Sequence, residues 1–187
     1  MNTTEAVRAI VRGAPDARCI SSLGTATSAL RLASDDAPHL YLGGAMGSGL
    51  AVAVGVADRC RDQRVIAIVG DGDLLMGSSA LWTLAGLRLP NLTAVVLCDG
   101  VYSITGGQDL IADSHCAAVG AALGLNTTAV DTAEALEACI AGGRRHLVEA
   151  RVEAGAESPR PSPFVTPHWV RSRFAEVVMP PVAEETA

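Results

Sequence analysis

Two uninterrupted apolar runs, separated by one helical segment, constrain the fold of this chain more than any other feature. They lie in the predicted strands 64–69 and 93–97, whose apolar letters read VIAIV and AVVL. A strand without polar alternation is buried on both faces, as in a parallel sheet that is covered by helices on each side. The intervening segment 78–87 places apolar side chains on one helical face, which predicts a crossover helix between the two strands.

Strands and helices alternate along the chain, and this alternation predicts an α/β fold with a doubly wound, mostly parallel sheet and helices on both faces. At 187 residues the chain is long enough to bury one core. We expect a single domain over residues 1–182 and a frayed tail over residues 183–187. The predicted strands are 19–23, 40–42, 64–69, 93–97 and 146–152, and the predicted helices are 3–11, 28–33, 50–59, 78–87, 117–123, 133–140 and 167–178.

The charge and hydropathy of the chain exclude several classes of partner. Its net charge is −6 at pH 7, and the sequence contains no cluster of Lys and Arg, so a nucleic-acid groove is not expected. An anionic small ligand is still compatible with this charge, because a bound metal ion inverts the local field. Residues 43–57 are apolar, but the segment is short and rich in glycine, which favours a buried turn and helix over a membrane span.

The cysteines indicate a reducing compartment. Five of them are scattered through the sequence, and none belongs to a C-x-x-C pair. An odd number of cysteines without metal-ligand spacing predicts free thiols, as in a cytoplasmic protein. The N-terminus carries no basic-then-apolar signal pattern, and we therefore expect a cytoplasmic location.

Acidic residues follow both apolar strands at the point where each strand ends. Asp71 lies in a Gly-Asp-Gly turn after the first strand, and Asp99 follows the second. The carboxyl ends of parallel strands share one edge of the sheet, where open α/β sheets bind ligands. Mg²⁺ takes one or two carboxylates and completes its coordination with phosphate oxygens and water. The pattern predicts a magnesium and phosphate site, although Asp71 is also placed to cap the next helix and Asp99 to stabilise a turn beside Gly100.

An ordered set of motifs surrounds these two acids, which are 28 residues apart. The motifs are ISSLG at 20–24, GGAMG at 43–47, GDG at 70–72, TGGQ at 105–108 and the tail around 159–161. From about Ile10 to Val178 the sequence resembles the diphosphate-binding domain of thiamine-diphosphate-dependent enzymes. In particular it resembles the β subunit of sulfopyruvate decarboxylase and the C-terminal half of phosphonopyruvate decarboxylase.

The resemblance implies that thiamine diphosphate is held through Mg²⁺. The metal ligands would be the carboxylates of Asp71 and Asp99 and the backbone carbonyl of Val101. Asp99 stands where the family usually carries Asn, and it still offers an oxygen ligand while adding negative charge. Asp73 stands where many relatives carry a small neutral residue. Only its N–H would be needed for phosphate, so its side chain would be available to cap the following helix.

The same resemblance assigns backbone groups to the diphosphate. Gly70 and Gly72 would let the main chain approach the phosphates closely. The free N–H groups of Gly72 and Asp73 would face phosphate oxygens. Gly24 and Thr25 match the first diphosphate-contacting turn of the family, with a plain strand-to-helix turn as the alternative.

Other residues are assigned to the organic part of the cofactor and to the substrate. Met46 would wedge under the cofactor and bend it, with ordinary core packing as the alternative. The Gly44 carbonyl would accept a hydrogen bond from the aminopyrimidine. The residues expected to line the site after the second acid are Tyr102, Ser103, Thr105 and Gln108, and the further candidates for substrate contact are His115 and Arg160. As alternatives, Gly106 and Gly107 would only shape a turn, and the His115 and Arg160 side chains would lie at the surface.

We therefore interpret the chain as the diphosphate- and magnesium-binding subunit of a two-subunit, thiamine-diphosphate-dependent 2-oxoacid decarboxylase. By resemblance its substrate would be a sulfo- or phosphonopyruvate-like 2-oxoacid, converted to an aldehyde and CO₂. Such enzymes need a glutamate on a separate pyrimidine-binding domain, and no part of this sequence resembles that domain. The resemblance thus implies a hetero-oligomer in which an α-type, pyrimidine-binding subunit supplies the activating glutamate.

Two other functions stay open. An acetolactate-synthase-like carboligase would use the same cofactor, and product analysis separates the two reactions. A non-catalytic scaffold or regulatory subunit would keep the fold without the cofactor, and only the acids at positions 73 and 99 support that function. A nicotinamide or flavin Rossmann protein is not expected, because no G-x-G-x-x-G follows the first strand.

Overall fold

A six-stranded parallel sheet lies at the centre of the computed structural model, which describes residues 1–143, 146–155 and 166–178. The strands in chain order are β1 (Arg18–Ser21), β2 (Leu40–Tyr41), β3 (Val65–Gly70), β4 (Leu92–Cys98), β5 (Val101–Tyr102), β6 (Gln108–Asp109), β7 (Thr127–Val130) and β8 (Leu147–Arg151). The sheet has the order β2-β1-β3-β4-β8-β7, and β5 and β6 form a separate antiparallel hairpin. The predicted parallel, doubly wound α/β fold is confirmed.

Helices cover both faces of the sheet. They are α1 (Thr3–Gly13), α2 (Gly24–Ser34), α3 (Gly49–Arg59), α4 (Asp71–Met76), α5 (Ala80–Leu87), α6 (Cys116–Ala122), α7 (Ala133–Ala141) and α8 (Pro167–Val178). Buried side chains of α1, α2 and α7 pack on one face, and those of α3, α5, α6 and α8 pack on the other. The predicted frayed tail 183–187 lies outside the described residues.

The continuous apolar run of β3 is explained by burial on both sides. Val65, Ala67 and Val69 belong to the core under α3 and α5, while Ile66 and Ile68 belong to the core under α1, α2 and α7. All five side chains are completely buried. Because full burial of one such aliphatic side chain contributes about 1.5–3 kcal/mol, these alternating contacts fix β3 between the two helical layers.

The structure differs from the sequence-based boundaries at several places near the carboxyl edge of the sheet. Helix α2 begins at Gly24, four residues before the predicted start, because Gly24 adopts a φ of +70° that turns the chain directly from β1 into the helix. The predicted Gly-Asp-Gly turn is the first turn of the short helix α4. Strand β7 and the β5–β6 hairpin were not predicted, because they are short and mostly half-buried or exposed, and so lack an apolar run.

The connections place a topological switch point between β1 and β3. From β1 the chain moves outward to β2, whereas from β3 it moves in the opposite direction to β4. The carboxyl ends of two such strands diverge and leave a crevice, which is the usual ligand site of an open α/β sheet. This arrangement brings residues 22–25 beside residues 70–73.

Two expectations from composition can be compared with the structure. All five cysteines, namely Cys19, Cys60, Cys98, Cys116 and Cys139, are free thiols. Among the described residues, no helix combines the length and the apolar character that crossing a bilayer would require.

Candidate functional site

A cavity of about 160 Å³, which we name the main cavity, lies at the switch point and is lined by most of the predicted site residues. The predicted residues that line it are Gly24, Thr25, Met46, Gly70, Asp71, Gly72, Asp73, Asp99, Val101, Tyr102, Ser103 and Thr105. They come from the ends of β1, β3 and β4 and from two loops, and are therefore distant in sequence. The topology of the sheet, rather than any local motif, brings them together.

Asp71 is held rigidly at the floor of this cavity. Its side chain is almost completely buried, and its carboxylate accepts hydrogen bonds from the Gly72 N at 2.8 Å and the Gly100 N at 2.9 Å. The Gly72 N–H is therefore not free, contrary to the prediction. Burial raises the pKa of Asp71 despite these bonds, and the nearby charge of Asp99 adds to that rise. A cation between the two carboxylates would relieve this cost.

Asp99 stabilises the turn that follows it and also lines the cavity. Its Oδ1 accepts a hydrogen bond from the Val101 N at 3.1 Å, which is a turn-stabilising contact, and its Oδ2 accepts one from the Ser103 Oγ at 2.9 Å. Each of these two carboxylate oxygens keeps a second lone pair, which is available to bind a metal ion. Asp99 and Asp71 line the same cavity. No group of three or more His, Cys, Asp or Glu side chains suited to a metal occurs in the described parts of the chain, so phosphate and water oxygens would have to complete the shell.

The side chain of Asp73 does not cap the following helix. Its Oδ1 accepts hydrogen bonds from the Ser22 Oγ at 2.6 Å and the Gly47 N at 2.7 Å. It is 7% exposed. Its charge is thus directed to the end of β1 and to the loop that carries Met46.

The start of α2 also lines the cavity. Its N-cap residue, Leu23, makes no side-chain capping bond, and Gly24 and Thr25 of the first turn line the cavity. An uncapped N-terminus of an 11-residue helix presents N–H groups and a positive dipole end to an anion. The contact of Gly24 and Thr25 with a diphosphate therefore stays a prediction.

The segment that follows Asp99 covers this cavity. A Cβ added to Gly72 would lie 2.6 Å from the Tyr102 ring, and one added to Gly24 would lie 2.5 Å from the Ile104 Cδ1. The two glycines therefore provide room for side chains of the segment 101–105. Even a methyl group at either glycine would collide with this cover.

Three predicted residues lie outside the main cavity. Gly44 is exposed in open space, two residues before Met46. The exposed Gln108 side chain exchanges hydrogen bonds with Thr105, at 2.8 Å from the Thr105 Oγ1 and 2.9 Å to the Thr105 O, so it stabilises a turn. His115 lines a second cavity of about 350 Å³ that also touches Asp71. Arg160 lies outside the described residues.

Among the lining residues of the main cavity that were not predicted from the sequence, two contact predicted site residues. Ser22 lies at the end of β1 and bonds to Asp73, and Ile104 lies over Gly24. A polar residue directly after a buried strand is a usable signal for Ser22. Ile104 has no such signal, because its position depends on the fold of the unpredicted hairpin.

The charge of the two cavities is negative. The main cavity is lined by three Asp side chains and by no Lys, Arg or His among the described residues. The second cavity is lined by the acids Asp71, Asp99, Asp113 and Glu149 together with His115 and Arg151. An anionic ligand therefore needs a cation bound with it. This donor set fits a metal-bound diphosphate and does not fit a free phosphate.

Comparisons with known proteins agree with this geometry. A sequence model of the family "Thiamine pyrophosphate enzyme, C-terminal TPP binding domain" matches residues 23–162. A solved structure of a protein described as a thiamin diphosphate-dependent enzyme from Mycobacterium smegmatis superposes with a TM-score of 0.63 and 27% identity. The match covers 81% of this chain and 32% of that protein.

Two groups of decarboxylases are similar in sequence. Phosphonopyruvate decarboxylase of Streptomyces viridochromogenes is 34% identical over 178 residues, which cover 91% of this chain and 45% of that protein. The β subunit of sulfopyruvate decarboxylase of Methanothermobacter thermautotrophicus is 32% identical over 123 residues, which cover 65% of this chain and 66% of that protein. The chain spans about half the length of the phosphonopyruvate decarboxylases it matches. Because the family model covers most of the chain, the protein belongs to the thiamine pyrophosphate enzymes and contains their C-terminal TPP binding domain, as its motifs predict.

Proposed function

We propose that residues 1–182 form a single diphosphate- and magnesium-binding domain, which serves as one subunit of a two-subunit, thiamine-diphosphate-dependent 2-oxoacid decarboxylase. The observation that carries this proposal is that Asp71 and Asp99 share one cavity with the uncapped start of α2 at Gly24. Two carboxylate ligands for a hard cation thus lie across one cavity from a backbone anion site, which is the combination that a metal-bound diphosphate requires.

Each residue has a defined part in this proposal. Asp71, Asp99 and the Val101 carbonyl hold Mg²⁺, the first turn of α2 lies against the diphosphate, and Met46 supports the organic part of the cofactor. When bound, the cofactor supplies the electron sink that decarboxylation of a 2-oxoacid requires. The chain itself binds and orients, and the Tyr102 side chain with its hairpin excludes water from the phosphate end of the cavity.

A second subunit completes the site. No Glu lines the main cavity among the described residues, and a relative that is one-third identical is named as a β subunit. The loops 43–45 and 105–108 flank the cavity residues Met46 and Tyr102 and are exposed. We propose that the pyrimidine-binding partner contacts these two loops and that its activating glutamate reaches the cavity from there.

The substrate of this proposal is a sulfo- or phosphonopyruvate-like 2-oxoacid, which yields an aldehyde and CO₂. The names of the relatives support an anionic group on the substrate. Among the described residues, these two cavities are lined by only two basic side chains, His115 and Arg151, and the Arg151 Nε lies 3.5 Å from the Glu149 Oε1. Arg160 and the partner subunit would therefore provide most of the positive charge that faces this group.

We place the protein in the cytoplasm. Its five cysteines are free thiols, and such a set of unpaired thiols suits a reducing compartment. Fractionation of the source cells checks this placement, and recovery of the protein with a secreted fraction would contradict it.

A binding experiment tests the cofactor part of the proposal. Purified chain, with and without its partner, is titrated in a calorimeter with thiamine diphosphate and with inorganic diphosphate, each in the presence of Mg²⁺ or EDTA. We expect binding of both ligands that depends on Mg²⁺. Absence of Mg²⁺-dependent binding in the complex would overturn the proposal in favour of a non-catalytic scaffold.

An activity experiment tests the reaction. The chain is co-expressed with a candidate pyrimidine-domain protein encoded beside it, and CO₂ release is measured with sulfopyruvate, phosphonopyruvate, pyruvate and a branched 2-oxoacid. We expect no turnover by the chain alone and a preference of the complex for one of the two anionic substrates. A preference for pyruvate or the branched acid would refute the substrate class, a carbon–carbon coupled product would identify a carboligase, and turnover by the chain alone would refute the two-subunit arrangement.

A further inference from the structure

A buried network joins the proposed metal-binding turn to the loop that carries Met46. One oxygen of Asp73 accepts hydrogen bonds from the Ser22 Oγ at 2.6 Å and from the Gly47 N at 2.7 Å. Ser22 follows β1, Gly47 follows Met46, and Asp73 lies two residues after Asp71. This single carboxylate oxygen therefore links three segments that surround the main cavity.

The far end of α4 contacts the same loop by close packing. A Cβ added to Gly77, which caps the end of α4, would lie 1.8 Å from the Gly47 carbonyl oxygen. Gly47 has a φ of +86°, and Ser48 closes the turn by donating to the Ala45 O at 2.6 Å. The loop 43–48 is thus attached to both ends of α4, at one end by the hydrogen bond from the Gly47 N to Asp73 and at the other by van der Waals contact.

The chemistry of this network points to a positioning role. Hydrogen bonds to a charged acceptor are stronger than neutral ones. Both bonds are short, and the Ser22 bond is buried while the Gly47 bond is partly buried. The Oδ1 of Asp73 already accepts two bonds, so it is a poor candidate for a further metal ligand. A small neutral side chain at this position would leave the Gly47 N without this acceptor.

We propose that Asp73 is a positioning residue, which fixes Met46 at a set distance from the metal-binding turn by holding the Gly47 N–H. This inference rests on the proposed function, in which Met46 supports the cofactor while Asp71 binds the metal. It assigns to Asp73 a role in placing the organic part of the cofactor and no role in holding its phosphates through the side chain.

Two structural readouts test the placement of the loop without the cofactor. Full-length chain is labelled in its methionine methyl groups and its backbone amides, and the Met46 signal is assigned with Met46→Leu. We expect Asp73→Ala to speed hydrogen exchange of the Gly47 amide at least about tenfold and to shift the Met46 methyl signal. Asp73→Asn keeps an oxygen acceptor of the same shape, so it is the matched control and should retain most of the protection.

Two ligands separate the positioning role from a direct one. We expect Asp73→Ala to weaken binding of Mg²⁺ with thiamine diphosphate about tenfold in the complex, while binding of Mg²⁺ with inorganic diphosphate stays within about twofold of wild type. If both ligands weaken equally, Asp73 belongs to the metal or phosphate site and the inference is wrong. Unchanged Gly47 exchange and Met46 signals would also overturn it.

Failure of cofactor binding and failure of folding are distinguished by separate measurements. If the wild-type complex binds neither ligand, the proposed function fails, while the exchange and methyl measurements still decide whether Asp73 holds the loop. If circular dichroism shows that Asp73→Ala is unfolded, Ser22→Ala replaces it, because that variant removes one donor to Asp73 and should give the same changes at a smaller amplitude. A folded Ser22→Ala chain with unaltered Gly47 exchange would then refute the network.

Discussion

Replacing Gly77 with Ala should destabilise the protein through a single contact between two backbones. The added Cβ would lie 1.8 Å from the Gly47 O, 2.6 Å from the Gly47 C and 2.9 Å from the Gly47 Cα. Ordinary van der Waals contact of a Cβ begins at about 3.4 Å, so the loop must retreat by roughly 1.6 Å. Gly77 has a φ of −105°, which alanine adopts without strain, so the effect is purely steric.

The magnitude follows from what that retreat breaks. Overpacking of a well-packed site costs about 1–3 kcal/mol. A shift of this size would also take the 2.7 Å bond from the Gly47 N to Asp73 beyond hydrogen-bonding distance, which costs about 1.5–3 kcal/mol for a bond to a charged group. The lower entropy of the unfolded Ala chain offsets about 0.4–1 kcal/mol. We expect a net loss of about 2–5 kcal/mol in the free energy of unfolding.

Urea denaturation followed by circular dichroism measures this loss. The matched control is Gly55→Ala, in the interior of α3, where an added Cβ meets nothing within 4 Å. That variant should be stabilised by about 0.5–1 kcal/mol, because alanine is the better helix former. If Gly77→Ala and Gly55→Ala have the same stability, the loop is not packed against the end of α4, and the attachment of Met46 to both ends of that helix is refuted.

Three further perturbations have expected outcomes. Asp71→Ala should leave the protein folded but lower Mg²⁺-dependent diphosphate binding by at least about 100-fold, since loss of a metal ligand costs more affinity than loss of a supporting contact. Calorimetry measures this binding, and unchanged binding in the folded variant would exclude Asp71 as a ligand. Asp99→Asn keeps an oxygen ligand and should bind Mg²⁺ and diphosphate within about tenfold of wild type, so complete loss would mean that the charge of Asp99 is itself required. Burial lowers the pKa of His39 to about 4, and its Nδ1 accepts a bond from the Cys19 N at 3.2 Å. Because this folded-state pKa is below the unfolded value, stability present above pH 6.5 should be lost as the pH falls towards 4, by up to roughly 3 kcal/mol. His39→Gln should flatten that dependence in urea titrations at pH 7.5 and 5, and an equally steep loss in the variant would assign the effect to another group.

The centre of the sheet could be predicted from local patterns alone. A run such as residues 65–69 is compatible only with burial on both faces, and this condition is written in consecutive residues. The acids at the strand ends could be predicted for the same reason, because Asp71 and Asp99 follow the strands that position them. The family motifs were likewise local, and the family they indicate is confirmed.

Two hydrogen-bonded contacts of these acidic residues were not predicted. The contacts of Asp73 depend on residues distant in sequence, whereas the contact of Asp71 depends on a side-chain conformation that the sequence pattern does not specify. The Asp73 carboxylate was expected to cap the following helix, but its partners are Ser22, 51 residues earlier, and Gly47, 26 residues earlier. The N–H of Gly72 was expected to be free for phosphate, but the side chain of Asp71 accepts its hydrogen bond.

The composition of the cavity was also decided by the tertiary structure. Gln108 and Ile104 lie in one exposed hairpin, where short strands carry no apolar pattern, and only the fold turns Ile104 towards Gly24 and Gln108 towards Thr105. The amino-acid sequence alone was enough to predict that an acidic residue follows each of the two central strands. The neighbours of Asp73 depend instead on the packing of α4 between the end of β1 and the loop 43–48, because hydrogen bonds and van der Waals contacts depend on distances in space and not on separation along the chain.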